Sequence, residues 1–261
     1  MMDRPSRQRD PLPTRVDSLP PLPDAYADAL DRGLAELPLT LDPAAREAID
    51  GHVRLLLAWN AAINLTSIRD PIAVARRHVL DSLAAVALLR GRRTQDLLDL
   101  GSGGGYPGLP LAAALTEIPV LLVESVAKKA AFLRTVTAAT GLAGRVAVGG
   151  LRAEALADDP RMRERRSAIV ARAVGRLADL VELAFPLLEP GGTLVAWKRG
   201  DLAGEMPAAV RAMRALGGGE MRVHPVHVTA LPGHVLVEVR KAGRTPPGYP
   251  RDPARRARRP W

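Results

Sequence analysis

The stretch DLLDLGSGGGYPGLPL, residues 96–111, decides the fold of this chain. A short apolar run ends at Leu100, a glycine-rich turn follows, and a second apolar segment begins after Pro107. This order predicts a buried strand, a tight turn and the start of a helix. In a doubly wound sheet, the turn after the first strand lies at the carboxyl edge, where nucleotide-like ligands bind.

Short apolar runs alternate with helical stretches after that turn. Runs of this kind, bounded by turns and separated by helices, indicate a parallel sheet with both faces covered. They are PVLLVE (119–124), RVAV (145–148), AIVARA (168–173) and TLVAWK (193–198). Two further runs with a short connection, MRVHPVHV (221–228) and HVLVEVRK (234–241), predict an antiparallel hairpin at one edge. The predicted fold class is α/β, with a doubly wound, mostly parallel, Rossmann-like sheet of seven strands.

The segment before the sheet is helical in pattern. Asp42 before Pro43, and Asp70 before Pro71, are helix-start signals that precede apolar residues at helical spacing. We therefore assign residues 24–94 to an N-terminal helical cap and residues 95–241 to the sheet domain. Residues 1–23 are predicted to be a flexible, proline-rich segment, and residues 242–261 a basic, flexible tail.

Charge and composition narrow the class of protein. The net charge is +9, and residues 241–261 hold seven basic side chains against one acidic side chain. Such an end can neutralise phosphates of a nucleic acid, although a solvated tail has the same composition. The chain has no cysteine, which excludes disulfides, a thiolate nucleophile and a cysteine-ligated zinc site. Because it also has no long apolar run and no signal-peptide pattern, we expect a cytoplasmic protein.

The glycine-rich turn predicts a ligand that contains a ribose. Gly101, Gly103 and Gly105 permit a close approach that a Cβ atom would prevent, and Glu124 ends the next strand, 23 residues after Gly101. A carboxylate there can accept hydrogen bonds from ribose hydroxyls. The spacing is G-x-G-x-G after Asp99, which is typical of S-adenosylmethionine methyltransferases, whereas a dinucleotide-binding turn has G-x-G-x-x-G. A nucleotide-dependent oxidoreductase remains an alternative at this point.

Five ordered motifs resemble one family, the RsmG (GidB) methyltransferases of guanine N7 in small-subunit (16S) ribosomal RNA. They are WNAAINLTSIRDP (59–71) with RRHVLDSLA (76–84), DLGSGGGYPGLPL (99–111), LRAEAL (151–156), ARAVGRL (171–177) with LVAWKRG (194–200), and TPPGYPRDP (245–253). The likeness covers roughly residues 25–253. After the YPR run, Asp252-Pro253-Ala254 departs from the family's usual Pro-Gly.

The resemblance implies the fold of a class I methyltransferase and S-adenosylmethionine as cofactor. It assigns the following residues to the cofactor site: Gly101, Gly103, Tyr106, Glu124, Ser125, Ala153, Glu154 and Arg172. The residue pattern leaves Arg172 with two possible anionic partners, because an unpaired guanidinium inside an apolar run is costly. The partner is either the carboxylate of the cofactor or a neighbouring Asp or Glu.

The implied reaction needs few catalytic groups. Guanine N7 carries an in-plane lone pair and no proton, so we predict no catalytic base and no metal site. The implied partner is 16S ribosomal RNA or the small ribosomal subunit, and we expect a monomer that binds neither DNA nor membranes. The predicted RNA contacts are Asn64, His78, Lys198, Arg199 and Arg251, and the scarce aromatic residues Tyr106 and Trp197 are candidates for stacking on the base. An RNA-binding assembly factor with a vestigial cofactor pocket is the second alternative.

Overall fold

One seven-stranded sheet organises the molecule. The computed structural model describes residues 11–92 and 94–261. The strand order is β3-β2-β1-β4-β5-β7-β6, in which β1 pairs in parallel with β2 and β4. The last strand, β7, pairs antiparallel with β5 on one side and with β6 on the other. This confirms the predicted α/β class, the mostly parallel sheet and the hairpin at its edge.

The central strands are largely buried, whereas the outermost strand, Gly218–Pro225, has no buried residue. Their bounds are β1 Leu97–Leu100, β2 Val120–Val123, β3 Val146–Gly149, β4 Arg166–Arg172, β5 Leu188–Arg199, β6 Gly218–Pro225 and β7 His234–Lys241. The helices of the sheet domain are α6 Gly108–Ala114, α7 Ala127–Ala139, α8 Ala153–Asp158, α9 Leu177–Ala184 and α10 Met206–Ala215. Apolar residues of these helices, of the strands and of the N-terminal helices form two core clusters.

The helical cap precedes the sheet. It comprises α1 Asp24–Glu36, α2 Pro43–Ile63, α3 Pro71–Val74, a π-helical stretch Ala75–Leu80, α4 Asp81–Leu83 and α5 Val86–Gly91. The two helix-start signals act as predicted: Asp42 accepts a hydrogen bond from the Ala45 amide, and Asp70 accepts one from the Ala73 amide. Helix α2 packs on α6 and α7, so that the cap lies against the helix that begins at the glycine-rich turn.

The structure corrects the prediction of a flexible N-terminal segment for the part that it describes, residues 11–23. The Trp59 indole donates to the Pro13 carbonyl at 2.7 Å, and the Arg54 guanidinium donates to the carbonyls of Leu19 and Pro20. Proline removes backbone donors but leaves carbonyls free, and helix α2 supplies the donors that bind them. Residues 1–10 of that prediction lie outside the described residues.

The prediction of a flexible C-terminal tail also needs correction. A short helix, α11 Pro253–Arg258, forms within it, and the Asp252 side chain accepts the Arg255 amide at its start. Trp261 and Tyr249 pack against the core beneath the sheet. The pattern of charges predicted a solvated end, whereas buried carboxylates on the sheet domain bind part of it.

Among the described residues, no helix combines the length and the apolar character that a membrane-spanning helix needs.

Candidate functional site

The glycine-rich turn has the geometry that its composition predicts. Gly101 and Gly103 adopt φ angles of +77° and +55°, which side chains other than glycine rarely adopt. The amides of Gly101 and Ser102 both donate to the Val123 carbonyl, so that β2 holds the start of the turn in place. A Cβ atom at Gly101 would lie 2.7 Å from Val174, whereas at Gly103 the nearest atom is 3.9 Å away. The turn is therefore packed at Gly101 and open at Gly103.

Glu124 lies directly beside the open glycine. Its carboxylate accepts the Gly103 amide at 3.0 Å and the Val126 amide at 2.7 Å, one on each oxygen. The residue is 7% exposed. Because each carboxylate oxygen can accept a second hydrogen bond, Glu124 retains acceptor capacity for two ribose hydroxyls. The structure thus brings together Gly103 and Glu124, two of the residues assigned to the cofactor.

Asp99 supports the turn from below. It is fully buried at the end of β1, and its Oδ2 accepts the Gly108 amide at 2.9 Å, which fixes the first turn of α6. Its Oδ1 has no hydrogen-bond partner in the described structure. Burial raises the pKa of this carboxyl to about 7. The side chain therefore carries a proton over much of the acidic range, and it is a structural residue of the turn.

Tyr106 is enclosed by aromatic neighbours from the cap. Its ring stacks on His52 with a centroid separation of 4.5 Å and on His78 at 4.7 Å. The His52 Nε2–H donates to the Gly104 carbonyl at 2.7 Å, and burial lowers the pKa of His52 to about 4. Because Tyr106 is only 5% exposed, it does not offer a face to a flipped base, which corrects that prediction. Tyr106 instead joins the cofactor turn to helix α2.

Arg172 ends β4 and takes the second of its two possible partners. Its guanidinium donates to Asp81 Oδ2 at 2.9 Å and to the Arg77 carbonyl at 2.9 Å. It also donates to His78 Nδ1 at 3.0 Å, so that His78 accepts at this nitrogen and donates from Nε2 to Thr66 Oγ1, 2.7 Å away. Burial, together with the nearby Arg172 charge, lowers the pKa of His78 to about 4.

The Asp81 carboxylate also binds the β-hairpin. Asp81 Oδ1 accepts a hydrogen bond from His234 Nδ1 at 2.9 Å, at the start of β7. The Trp197 indole donates to the Asp81 carbonyl at 2.6 Å and is 6% exposed, so it too is unavailable for base stacking. Asp81 therefore links the cap to β4, β5 and β7 at the carboxyl edge. No sequence motif points to His52 or His234, because their partners are distant along the chain.

The second half of the predicted cofactor site lies at the start of α8. Ala153 and Glu154 form its first turn, and the Glu154 carboxylate binds the Arg256 guanidinium from the C-terminal helix. Ser125 and Val126 are exposed, and Val126 has 47% of its surface accessible beside Glu124. An exposed valine beside the Glu124 carboxylate offers an apolar surface on which a flat base could lie.

Of the predicted RNA contacts, two are exposed. Asn64 ends helix α2 in the left-handed conformation, with φ +43°, and Arg199 ends β5. Lys198 is bound to Glu205 Oε2 at 2.7 Å. Arg251 is bound to the buried Glu182 by its backbone amide and its guanidinium, which corrects its assignment as an RNA contact. Both ring nitrogens of His78 are used within the protein, as described above.

The residues present fit a nucleoside cofactor. The open side of Gly103, the spare acceptor capacity of Glu124 and the exposed Val126 adjoin one another at the carboxyl edge of the sheet. Among the residues described, no cluster of histidine and acidic side chains has the arrangement of a metal site. The arrangement therefore offers a nucleoside a hydrogen-bond acceptor beside an apolar surface.

Comparisons with known proteins identify relatives over most of the chain. The profile of the family described as rRNA small subunit methyltransferase G (GidB) matches residues 45–231. The "Ribosomal RNA small subunit methyltransferase G" of Roseiflexus sp. (strain RS-1) is 41% identical over 222 residues, which are 85% of this chain and 94% of that protein. The protein of the same name from Chloroflexus aggregans is 44% identical over 207 residues, 78% of this chain and 85% of its own.

A solved structure supports the fold. An O-methyltransferase from Bacillus cereus, in complex with SAH, superposes with a TM-score of 0.55 and covers 82% of this chain and 97% of its own. The two sequences are 18% identical, so this likeness concerns the architecture of the sheet domain alone.

Proposed function

The chain belongs to the rRNA small subunit methyltransferase G family, and from this premise we propose that it transfers the methyl group of S-adenosylmethionine to N7 of one guanine in small-subunit ribosomal RNA. The target guanine lies in a loop near the decoding region, as the resemblance of the motifs implies. We further propose that the protein is cytoplasmic, acts as a monomer and binds neither DNA nor membranes. Family membership gives no support to the oxidoreductase or to an assembly factor with a vestigial pocket.

The observation that carries this proposal is the open turn at Gly103 with the Glu124 carboxylate beneath it. Glu124 would accept hydrogen bonds from the ribose hydroxyls, and the Gly103 backbone permits the close approach. Ser125 and Val126, with Ala153 and Glu154, would border the adenine. Gly101 and Tyr106 fix the path of the turn, and Arg172 fixes the edge of the sheet where the methyl group must be presented.

The chemistry requires alignment and exclusion of water. When bound, S-adenosylmethionine supplies an electrophilic methyl group on a sulfonium. The N7 lone pair of guanine forms the new C–N bond while the C–S bond breaks, and no proton leaves the nucleophile. The protein's contribution is therefore to hold the two reactants in line, and positioning of this kind can supply a large part of the rate acceleration. This agrees with a site in which His52 and His78 are neutral and buried among their partners.

A methyl-transfer assay tests the proposal. Purified protein is mixed with radiolabelled S-adenosylmethionine and with deproteinised small-subunit rRNA, small subunits or large-subunit rRNA. We expect label in small-subunit rRNA or in subunits, as N7-methylguanosine after digestion, and none in large-subunit rRNA. Label in another nucleoside would contradict the site of methylation, and no label in any RNA would contradict the proposed function. Thermal stabilisation by S-adenosylhomocysteine, but not by NADP, checks the cofactor independently.

A further inference from the structure

The last thirteen residues, 249–261, form a structured arm on the surface of the sheet domain. Its anchor is Glu182 in helix α9, whose side chain is fully buried. The carboxylate accepts the Arg251 amide at 2.8 Å, the Arg251 guanidinium, and the Trp261 indole N–H at 2.6 Å. The arm is thus held near both of its ends by one buried carboxylate.

Aromatic contacts and a second ion pair reinforce this anchor. The rings of Tyr249 and Trp261 stack with a centroid separation of 6.0 Å, and the Arg251 guanidinium lies 4.8 Å from the Trp261 ring. The Arg256 guanidinium binds Glu154 and donates to the Arg251 carbonyl. Because Glu154 is in the first turn of α8, the middle of the arm lies beside the residues that we assign to the adenine.

Three arginines of the arm point away from these anchors. Arg255, Arg258 and Arg259 are exposed, and no carboxylate of the described residues forms an ion pair with them. Arg255 and Arg258, at i and i+3, lie on one face of helix α11, with Cβ atoms roughly 5–6 Å apart, and Arg259 follows directly after the helix ends. Three unneutralised guanidinium groups within five residues repel each other unless an anion lies between them.

We propose that residues 249–261 are a fixed phosphate-binding arm for the RNA substrate, in which Arg255, Arg258 and Arg259 contact the RNA backbone. Arg251 and Arg256 are its anchors and remain bound to Glu182 and Glu154. Guanidinium groups bind phosphate oxygens with paired hydrogen bonds, and a backbone contact positions RNA without reading its sequence. The inference rests on the proposed function, since it names the part of the protein that holds that same RNA.

The test compares two triple variants with equal changes in charge. R255Q/R258Q/R259Q removes the proposed contacts, and R32Q/R211Q/R214Q removes three exposed arginines of α1 and α10. RNA binding is measured from 50 to 300 mM salt with the small-subunit rRNA fragment that the wild-type protein methylates. The logarithm of the binding constant falls as the logarithm of the salt concentration rises. Loss of three contacts to single-stranded RNA should make this negative slope shallower by about 2. We expect this change in the arm variant only, with the affinity for S-adenosylhomocysteine unchanged.

An equal slope change in both variants, or none in either, would overturn the proposal and leave the methyltransferase assignment intact. Absence of methylation by the wild-type protein is a separate outcome, which would contradict the proposed function instead. A further variant, W261A, tests whether the arm must be fixed. It keeps all three contact arginines but loses the stack on Tyr249 and one bond to Glu182, so we expect RNA binding to weaken several-fold. RNA binding as tight as that of the wild type, with the melting temperature preserved, would show that the arm's charge suffices without its anchor.

Discussion

A single methyl group added at Gly103 tests the cofactor turn with little effect on the rest of the fold. The new Cβ atom of Gly103→Ala would come no nearer than 3.9 Å to any other atom, the Gly101 carbonyl oxygen. Its cost to stability is therefore the left-handed backbone conformation at φ +55°, about 1–2 kcal/mol. Gly141→Ala is a matched control, because Gly141 has φ +71° and open space around it, in the turn between α7 and β3.

Both variants should melt a few degrees below the wild type, since about 1 kcal/mol lowers the melting temperature of a chain of this size by roughly 2–4 °C. Only at Gly103 does the added methyl group enter the space that we assign to the cofactor. Overpacking by one methyl group costs roughly 1–3 kcal/mol, which corresponds to about a 5- to 150-fold loss of affinity. Titration calorimetry with S-adenosylhomocysteine measures this loss. Equal affinities of the two variants would refute the assignment of the turn as the cofactor site.

Three further changes test the supports of the site. Asp99→Asn removes a buried carboxyl whose pKa is raised to about 7. Between about pH 4 and 7 the folded state keeps a proton that the unfolded state releases, so this carboxyl makes stability fall as the pH rises. Urea titrations at each pH measure this effect: the free energy of unfolding of the wild type should fall relative to that of the variant by roughly 4 kcal/mol at most. If the two free energies change with pH in parallel, the raised pKa is wrong. Arg172→Met leaves the Asp81 carboxylate buried without its guanidinium partner and should destabilise the fold by about 3 kcal/mol. In the double variant, Asp81→Asn should recover part of this loss. If the two effects on the free energy of unfolding simply add, the two side chains act independently. Lys241→Met should cost about 3–5 kcal/mol in chemical denaturation, because the fully buried Nζ neutralises Glu164; a change below 1 kcal/mol would contradict this role of the ion pair.

Local patterns predicted the architecture because each element carries its own signals. The apolar runs around residues 96–100 and 193–198 are bounded by turns, and they became the buried strands β1 and β5. The Asp-Pro pairs at residues 42–43 and 70–71 became helix starts. Glycine at positions 101 and 103 predicted a tight turn, and both residues have the positive φ angles that such a turn requires. Such signals depend on neighbours along the chain, so one sequence suffices to find them.

The contacts around Asp81 could not be predicted in the same way. Its partners Arg172 and His234 lie 91 and 153 residues away, and only the closed sheet brings them to one edge. The enclosure of Tyr106 by His52 has the same origin, since α2 must first pack on α6. Because aromatic residues are scarce, Tyr106 and Trp197 were expected to face the substrate. Both side chains are instead buried in the core.

One long-range contact did leave a signal that can be recognised afterwards. Glu182 lies within LADLVELA (177–184), the apolar helix α9, where an unpaired carboxylate is as costly as the unpaired guanidinium of Arg172. The same reasoning that required a partner for Arg172 therefore required one for Glu182. The basic residues at the C-terminus could supply the cation that Glu182 needs, and in the structure Arg251 is that partner.

Nucleoside mapping of ribosomal RNA tests the central claim most directly. Small-subunit rRNA is isolated from cells that contain this protein, from cells that lack it, and from the latter supplied with Gly103→Ala. We predict that digestion and mass spectrometry find one 7-methylguanosine in the first sample that is absent from the second and reduced in the third. An unchanged set of methylated guanosines in all three samples would contradict the account.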